Sequence, residues 1–399
     1  MHRRRDFLSL SLLPLVALRA QARNLRVTGL DVFIVDVSEK GNWVFVRLNT
    51  NQGLTGLGEA SHGMPGGNRR LEGARHMRAL LGDFFELVRN ESPYDIQQYR
   101  DRGRAKAKAG KLATATAFSA IEQALWDLCG KASGVPVCDL LGGRLRRDLP
   151  LYANINRATI ERTPEAFATN AAAAVRQGFR SLKAAPFDGF PPLTTDFSKA
   201  KQLGIACVEA IRKAAGPDVE VYIDCHSFFD VPLAIEVAKR LEPMKLGWYE
   251  EPVPPERTAE TLAIKKGITQ RMSGGEILFG MEGFRELCEQ NAVDVIMPDV
   301  KHCGGLLEGG RIAALAELHG VEVSPHNPAG PVSTAASAHL CAGIPNFRVL
   351  EYQWGEVSWR GDLVTPAEVF ESGRMRVSSD RPGFGIDLNY NIVRAHSLQ

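Results

Sequence analysis

Three carboxylates stand at equal intervals along the chain: Asp224, Glu250 and Glu276 are 26 and 26 residues apart. Each closes a short apolar run, Tyr222-Ile223-Asp224, Trp248-Tyr249-Glu250 and Ser273-Gly274-Gly275-Glu276. If each run is one strand of a repeating βα unit, adjacent parallel strands bring the three to one point. Like charges so close repel unless a cation neutralises them. An all-carboxylate set with positions left for water or substrate oxygens suits one Mg2+ per subunit. Glu251 is the adjacent alternative to Glu250, and strand alternation points it to the other side.

Two histidines join the cluster. His226 follows Asp224 by two residues, so the two side chains face one way if the chain stays extended. His326 lies in Ser324-Pro325-His326-Asn327-Pro328, and Asp299 ends the preceding apolar run, Met297-Pro298-Asp299. An Asp–His pair orients the imidazole and supports its protonated form, which makes His326 a candidate general base. Lys183 adds a cation, either to stabilise an oxyanion or, with a lowered pKa, to act as a base. Glu351 closes a further run, as an acceptor for substrate or catalytic groups or as half of a structural salt bridge.

The elements that must position these residues are legible as periodicities. Residues 25–37 and 43–48 are rich in β-branched and aromatic residues and flank Gly41-Asn42, which predicts a hairpin. Gly53 to Glu59 adds a turn and a third strand. Helical periodicity follows over 70–90 and 114–131. The chain thus opens as a β-β-β-α-α unit ending near Gly142-Gly143. From Leu149 short strands alternate with helices, the strands being 149–153, 180–184, 219–224, 246–250, 272–276, 293–297, 321–324 and 347–351. The helices between them include 164–177, 199–215, 231–241, 281–290 and 306–319. Eight such strands make a (β/α)8 TIM-type barrel, whose active sites lie at the strand C-termini. The expected division is an α+β capping domain over 23–145, a barrel over 146–360, and a tail over 361–399 that packs back on the capping domain.

At 399 residues, with 44% hydrophobic and 24% charged residues, the chain has material for a large core and an ordinary soluble composition. A net charge of +2 favours neither nucleic acid nor an acidic membrane as partner. Seven scattered cysteines, never spaced Cys-x-x-Cys, argue against a disulfide framework or a thiolate zinc site. Residues 1–22 are unlike the rest: Arg3-Arg4-Arg5, an apolar run from Phe7 to Leu18, then Ala20-Gln21-Ala22. That is the layout of an export signal, with Arg4-Arg5-Asp6-Phe7-Leu8 resembling the twin-arginine type. It predicts a periplasmic location, no membrane attachment after signal removal, and a cytoplasmic enzyme as the alternative.

With Ala120-Ile121-Glu122-Gln123-Ala124-Leu125-Trp126-Asp127, then Gly134-Val135-Pro136 and Leu140-Leu141-Gly142-Gly143, the chain resembles the mandelate racemase subgroup of the enolase superfamily, in its mandelate racemase/muconate lactonizing enzyme family. The resemblance implies Asp224, Glu250 and Glu276 as metal ligands and Asp299–His326 as the base dyad. It also implies a homo-oligomer acting on a small carboxylic acid. Leu182-Lys183-Ala184-Ala185 departs from the Lys-x-Lys of racemases, because Ala185 replaces the second lysine. His226 falls where relatives resembling galactonate and mannonate dehydratases carry a general acid. The stretches His326 to Ser333 and Leu350-Glu351-Tyr352 look most like the galactonate dehydratase group. The implied activity is a hydro-lyase removing the proton beside the carboxylate of an aldonate or aldarate and expelling the 3-hydroxyl, leaving a 2-keto-3-deoxy acid. Lys183, His226, His326 and Glu351 would contact substrate, and loops near 37–43 and 59–69, with His62, would set its identity. A racemase or epimerase using Lys183 as second base is the alternative on the same fold. A non-catalytic exported sugar-acid binding protein is the alternative of another class.

Overall fold

The computed structural model describes residues 24–38, 41–61, 70–188, 198–378 and 380–398. The export signal and His62 lie outside them. The chain opens with strands β1 (Val27–Ser38), β2 (Gly41–Thr50) and β3 (Thr55–Glu59), paired antiparallel in that order. Helices α1 (Arg70–Phe85), α2 (Ile96–Ala109), α3 (Lys111–Ser133) and the short α4 (Val137–Leu140) follow. Helix α2 is absent from the sequence reading. Its sequence, IQQYRDRGRAKAKA, is mostly charged, and the residues it buries are Ile96, Tyr99, Gly103 and Ala107. Three or four residues apart, they form a narrow stripe made largely of small side chains.

Helix α3 lies across the hairpin because β3 carries no side chains where the two meet. A Cβ on Gly56 or Gly58 would come within 2.2 or 2.0 Å of the carbonyl oxygens of Ala124 and Ala120. The helix ends at Gly134, whose φ of 70° suits the left-handed cap that only glycine adopts freely.

The barrel strands are β4 (Asp148–Asn154), β5 (Ser181–Ala184), β6 (Glu220–Asp224), β7 (Trp248–Glu250), β8 (Met272–Gly274), β9 (Val295–Ile296), β10 (Glu322–Val323) and β11 (Leu350–Gln353). All eight fall within or beside the predicted runs. They pair in parallel in chain order from β4 to β10, and β11 pairs with β4. A bridge from Val323 to Phe347 completes the circle. Among the described residues seven helices connect them: α5 (Pro164–Arg176), α6 (Lys199–Ala215), α7 (Val231–Leu241), α8 (Thr258–Gly267), α9 (Gly280–Glu289), α10 (Leu306–Leu318) and α11 (Pro331–Gly343). Their starts carry local signals. Thr163 accepts from Ala166 N ahead of Pro164, and Asp230 accepts from Leu233 N ahead of Pro232.

After β11 the chain makes short strands rather than a barrel helix: β12 (Val364–Thr365), β13 (Phe370–Glu371), β14 (Arg374–Arg376) and β15 (Asp387–Leu388), then the short helix α12 (Tyr390–Ala395). The tail divides its contacts. β14 pairs with β4 of the barrel, while Asp36 N donates to His396 O at 2.8 Å and Leu398 N to Ile34 O at 3.0 Å.

The period of two along a strand sets the site on a floor. Tyr152, Tyr222 and Trp248 each precede a polar residue, Asn154, Asp224 and Glu250, by two positions, so each pair faces one way into the barrel. Tyr222 and Trp248 stack at 3.5 Å with ring planes 3° apart, and Tyr152 meets both edge-on. This aromatic plug closes the barrel beneath the polar layer.

Candidate active site

Register places the first two carboxylates side by side, with Asp224 paired to Glu250 across β6 and β7. Glu276 comes from beyond β8. The chain turns there at Gly275, with φ of 102°, where a Cβ would sit 2.8 Å from the Phe284 ring. Glu251 leaves the cluster: its φ is 41° and its Oε2 accepts from Gly275 N at 2.9 Å. Burial, and next the charge of Glu276, push its carboxyl up to about 8.

Lys183, fully buried, lies among the acids. Its Nζ is 3.0 Å from Asp224 Oδ2, bonded to Glu250 Oε1, and 3.7 Å from Glu351 Oε1. Burial opposes its charge, yet the carboxylates of Asp224, Glu250 and Glu351 outweigh this and hold its pKa well above the usual lysine value. That is the reverse of the lowered pKa a lysine base requires, and it suits the other expected role, a cation that steadies an oxyanion. Burial and repulsion from Asp224 raise Glu250 well above the carboxylate range. Asp224 goes the other way despite its burial, because His226 and Lys183 favour its anion.

Whether these residues fit a divalent ion can be judged from their oxygens. Asp224 Oδ2 and Glu276 Oε2 are buried with no aligned donor. Lys183 and His226 approach the first at 3.0 and 3.1 Å, and His326 the second at 3.3 Å, without hydrogen-bonding geometry. Buried carboxylate oxygens in that state suit a hard cation. Asp224, His226 and Glu276 offer ligand atoms within 4.8 Å of one another. Glu250 stands beside them with Oε2 accepting from Trp248 Nε1 at 2.8 Å. A second trio, Asp299, His302 and His326, is as close, but Asp299 Oδ2 there is already bonded to the Lys301 ammonium and to His326 Nδ1.

His326 Nδ1 lies 2.7 Å from Asp299 Oδ2, and that same oxygen takes the Lys301 ammonium at 2.6 Å. Asp299 Oδ1 accepts from Lys301 N at 2.7 Å. Burial opposes the Asp299 anion, but the Lys301 ammonium and the hydrogen bond with His326 more than compensate and hold its pKa far below the usual carboxylate value. His302 shares a hydrogen bond with Thr116 at 2.9 Å, and burial depresses its pKa to about 3, leaving it neutral. Glu351 is committed on both oxygens, Oε1 to Asn154 Nδ2 at 2.6 Å and Oε2 to Asn327 N at 2.8 Å. It therefore holds the loop that carries His326.

His226 reaches the cluster by a route the sequence reading did not foresee. The extended geometry ends at Cys225, and His226 and Ser227 adopt φ of 44° and 59°. The turn still returns the ring to Asp224, while His226 Nδ1 meets Asp188 Oδ1 at 2.5 Å. Asp188 and both histidines line one cavity of about 670 Å³ at the strand C-termini, with Asn156, Arg157 and Arg162 also on its wall. That volume is in the usual range for a small-molecule site.

Comparison with known proteins agrees with this geometry. Residues 23–142 match the mandelate racemase/muconate lactonizing enzyme N-terminal domain, and residues 166–392 match the enolase C-terminal domain-like family. The chain belongs to the enolase superfamily. Within it, the mandelate racemase/muconate lactonizing enzyme family contains both domains. A D-xylonate dehydratase of Haloferax volcanii is 31% identical over 96% of this chain and 91% of its own. A D-galactonate dehydratase of Ralstonia pickettii is 32% identical over 90% and 91%. A solved mandelate racemase/muconate lactonizing enzyme-like protein of Rubrobacter xylanophilus superposes with a TM-score of 0.85 at 33% identity, covering 94% of this chain and 98% of that one.

As an enzyme of this superfamily, the chain shows what its capping-helix motif does. Glu122 accepts from Leu306 N and Leu307 N at 2.8 and 2.9 Å, at the start of α10. Asp127 accepts from Leu57 N at 2.8 Å and Phe384 N at 2.7 Å. The motif therefore ties capping helix, barrel and tail together. Sequence reasoning missed Asp188, Asn156, Lys301 and His302. For the last pair a signal existed, since Asp299-Val300-Lys301-His302 puts three ionisable residues in one strand-end loop. Asp188 had only its place five residues after Lys183.

Proposed function

We propose that the protein is a Mg2+-dependent aldonate dehydratase that forms a 2-keto-3-deoxy acid. The observation that carries the reading is the Asp299–His326 pair at 2.7 Å, opening with His226 into one cavity beside the carboxylates. A divalent ion held by Asp224, Glu250 and Glu276 would supply positive charge beside the substrate carboxylate and lower the cost of the enolate. His326 Nε2 removes the proton at C2, and Asp299 holds the imidazolium that results. Lys183 adds fixed positive charge to the layer where the anion develops. His226 donates a proton to the departing 3-hydroxyl. Ala185 on the cavity wall leaves no second lysine base there, which favours elimination over racemisation.

A monoacid is favoured over a diacid because the two arginines of the described wall are already matched. Arg157 pairs with Glu356 at 2.8 Å. Arg162 faces the Asp188 carboxylate at 3.9 Å and bonds to the carbonyl oxygens of Asn156, Thr159 and Ala185. The relatives' names, xylonate, gluconate, galactonate and mannonate dehydratase, are likewise those of monoacids. The test is to incubate pentonates, hexonates and aldarates with enzyme and Mg2+ in deuterated water. Keto-acid formation from an aldonate is expected. Deuterium entering recovered substrate with no keto acid from any of them would replace this reading with epimerisation.

We also propose that the chain is exported through its Arg4-Arg5 signal. Lysine at both positions should leave the protein in the cytoplasm of its host, and unchanged export would reject the route.

A further inference from the structure

The catalytic reading above assigns His226 a proton to give but says nothing of what aims it. The ring is one-third exposed, against about a tenth for His326, and it hangs from two consecutive residues with left-handed backbone angles. Such a conformation is strained for a residue with a side chain and persists only where neighbours enforce it. Here Ser227 N donates to Glu251 O at 2.7 Å and Cys225 N to Glu250 O at 3.0 Å. These bonds fix the backbone, but not rotation of the imidazole.

We propose that Asp188 is a positioning residue that pairs with His226 as Asp299 pairs with His326, giving the site a second Asp–His dyad. The inference rests on the dehydratase reading for its catalytic consequence. Asp188 Oδ1 lies 2.5 Å from His226 Nδ1, which turns Nε2 inward to within 3.1 Å of Asp224 Oδ2. Asp188 is itself held: its Oδ2 accepts from Asn156 Nδ2 at 2.8 Å. Asn156 N donates to Asn154 Oδ1 at 2.9 Å, and Asn154 Nδ2 donates to Glu351 Oε1 at 2.6 Å. Glu351 Oε2 accepts from Asn327 N, next to His326. A continuous belt of hydrogen bonds therefore runs along the cavity wall from His226 to the peptide that follows His326. Removing Asp188 breaks the belt at its exposed end and frees the His226 ring.

The chemistry follows from that placement. Once the C2 proton is on His326, the electron pair left at C2 forms the C2–C3 double bond as the C3–O bond breaks. The Nε2 proton of His226 passes to the departing oxygen, water leaves, and the enol becomes the ketone. Nδ1–H stays with Asp188 throughout. A misaligned ring fails at this step alone, since the enolate still forms and returns.

The test compares wild type with Asp188→Asn, Asp188→Ala and Asn156→Ala on an aldonate the wild type dehydrates, in deuterated water with Mg2+. The Asp188 variants should dehydrate about 10²-fold more slowly, the scale of a lost general acid, with KM little changed. Deuterium entry at C2 should persist, so the ratio of exchange to elimination rises by the same factor. Asn156→Ala should move that ratio the same way by less. Exchange and elimination falling together, or dehydration at the wild-type rate, would overturn the proposal. A readout free of turnover is the low-field proton resonance of a carboxylate-bound imidazole Nδ1–H. The resonance that remains in His326→Asn should be lost in both Asp188→Ala and His226→Asn, and its survival in Asp188→Ala overturns the pairing. A wild type that exchanges C2 but eliminates from no substrate refutes the dehydratase reading alone, and the resonance then decides the pairing.

Discussion

The two histidines of the mouth stand in opposite surroundings. His326 sits in a saturated layer, with its Asp299 partner also bonded to the Lys301 ammonium and the Lys301 backbone, and with neutral His302 alongside. His226 stands at the rim on a strained turn, with Asp188 as a single lateral support. Under the proposed function, the first arrangement fixes a base in one pose before substrate arrives, as proton abstraction from carbon demands. The second leaves an acid reachable from solvent. That suits a group whose proton must be replenished after each turnover, and it makes the rim the more easily perturbed half.

The sharpest way to break this contrast is to remove each ring. His326→Asn should abolish C2 exchange and dehydration together, a loss of about 10⁴-fold at the upper end for a general base. His226→Asn should lower dehydration by about 10²-fold while exchange continues. Deuterium incorporation and keto-acid release, measured in one reaction, check both. If His226→Asn loses exchange and His326→Asn keeps it, the roles are reversed.

The buried half should also show itself in acid. Below the ordinary histidine value of 6.5 an unfolded chain protonates His302, while the folded one resists until about 3. The folded state therefore binds fewer protons in that window. The contribution of this side chain to stability is complete above 6.5 and is lost as pH falls toward 3. His302→Gln should make the fall in urea midpoint between pH 7 and pH 4.5 shallower than in wild type, and parallel falls would reject it. The smallest effect lies outside the mouth. Glu122→Gln leaves one amide of α10 short of an acceptor and should cost about 1–3 kcal/mol, read by urea unfolding, with dehydration unchanged at low temperature.

Sequence legibility followed the same divide. The eight strands were readable because each is an apolar run with a period of about one βα unit, and Asp224, Glu250, Glu276 and Asp299 inherit their places from that period. His326 was readable because it closes a strand. Asp188 was not, since its meaning arises from contact with a residue 38 positions away whose backbone leaves the extended form. Which of the two expected roles suits Lys183 was not readable, for a physical reason. Burial alone would lower its pKa, and the Asp224, Glu250 and Glu351 charges that reverse this come from three other strands.

The acid pair in the capping helix has a consequence for exchanging parts between relatives. Glu122 and Asp127 accept amides of α10, β3 and the tail, so they serve three separate stretches of chain from one helix. A graft confined to segments outside these contacts leaves this seam intact. A graft that replaces the whole first domain must carry acids at both positions, or it strands backbone donors in the α10, β3 and tail segments at once. Recombination in this protein thus has a natural barrier, the one helix that carries both acids.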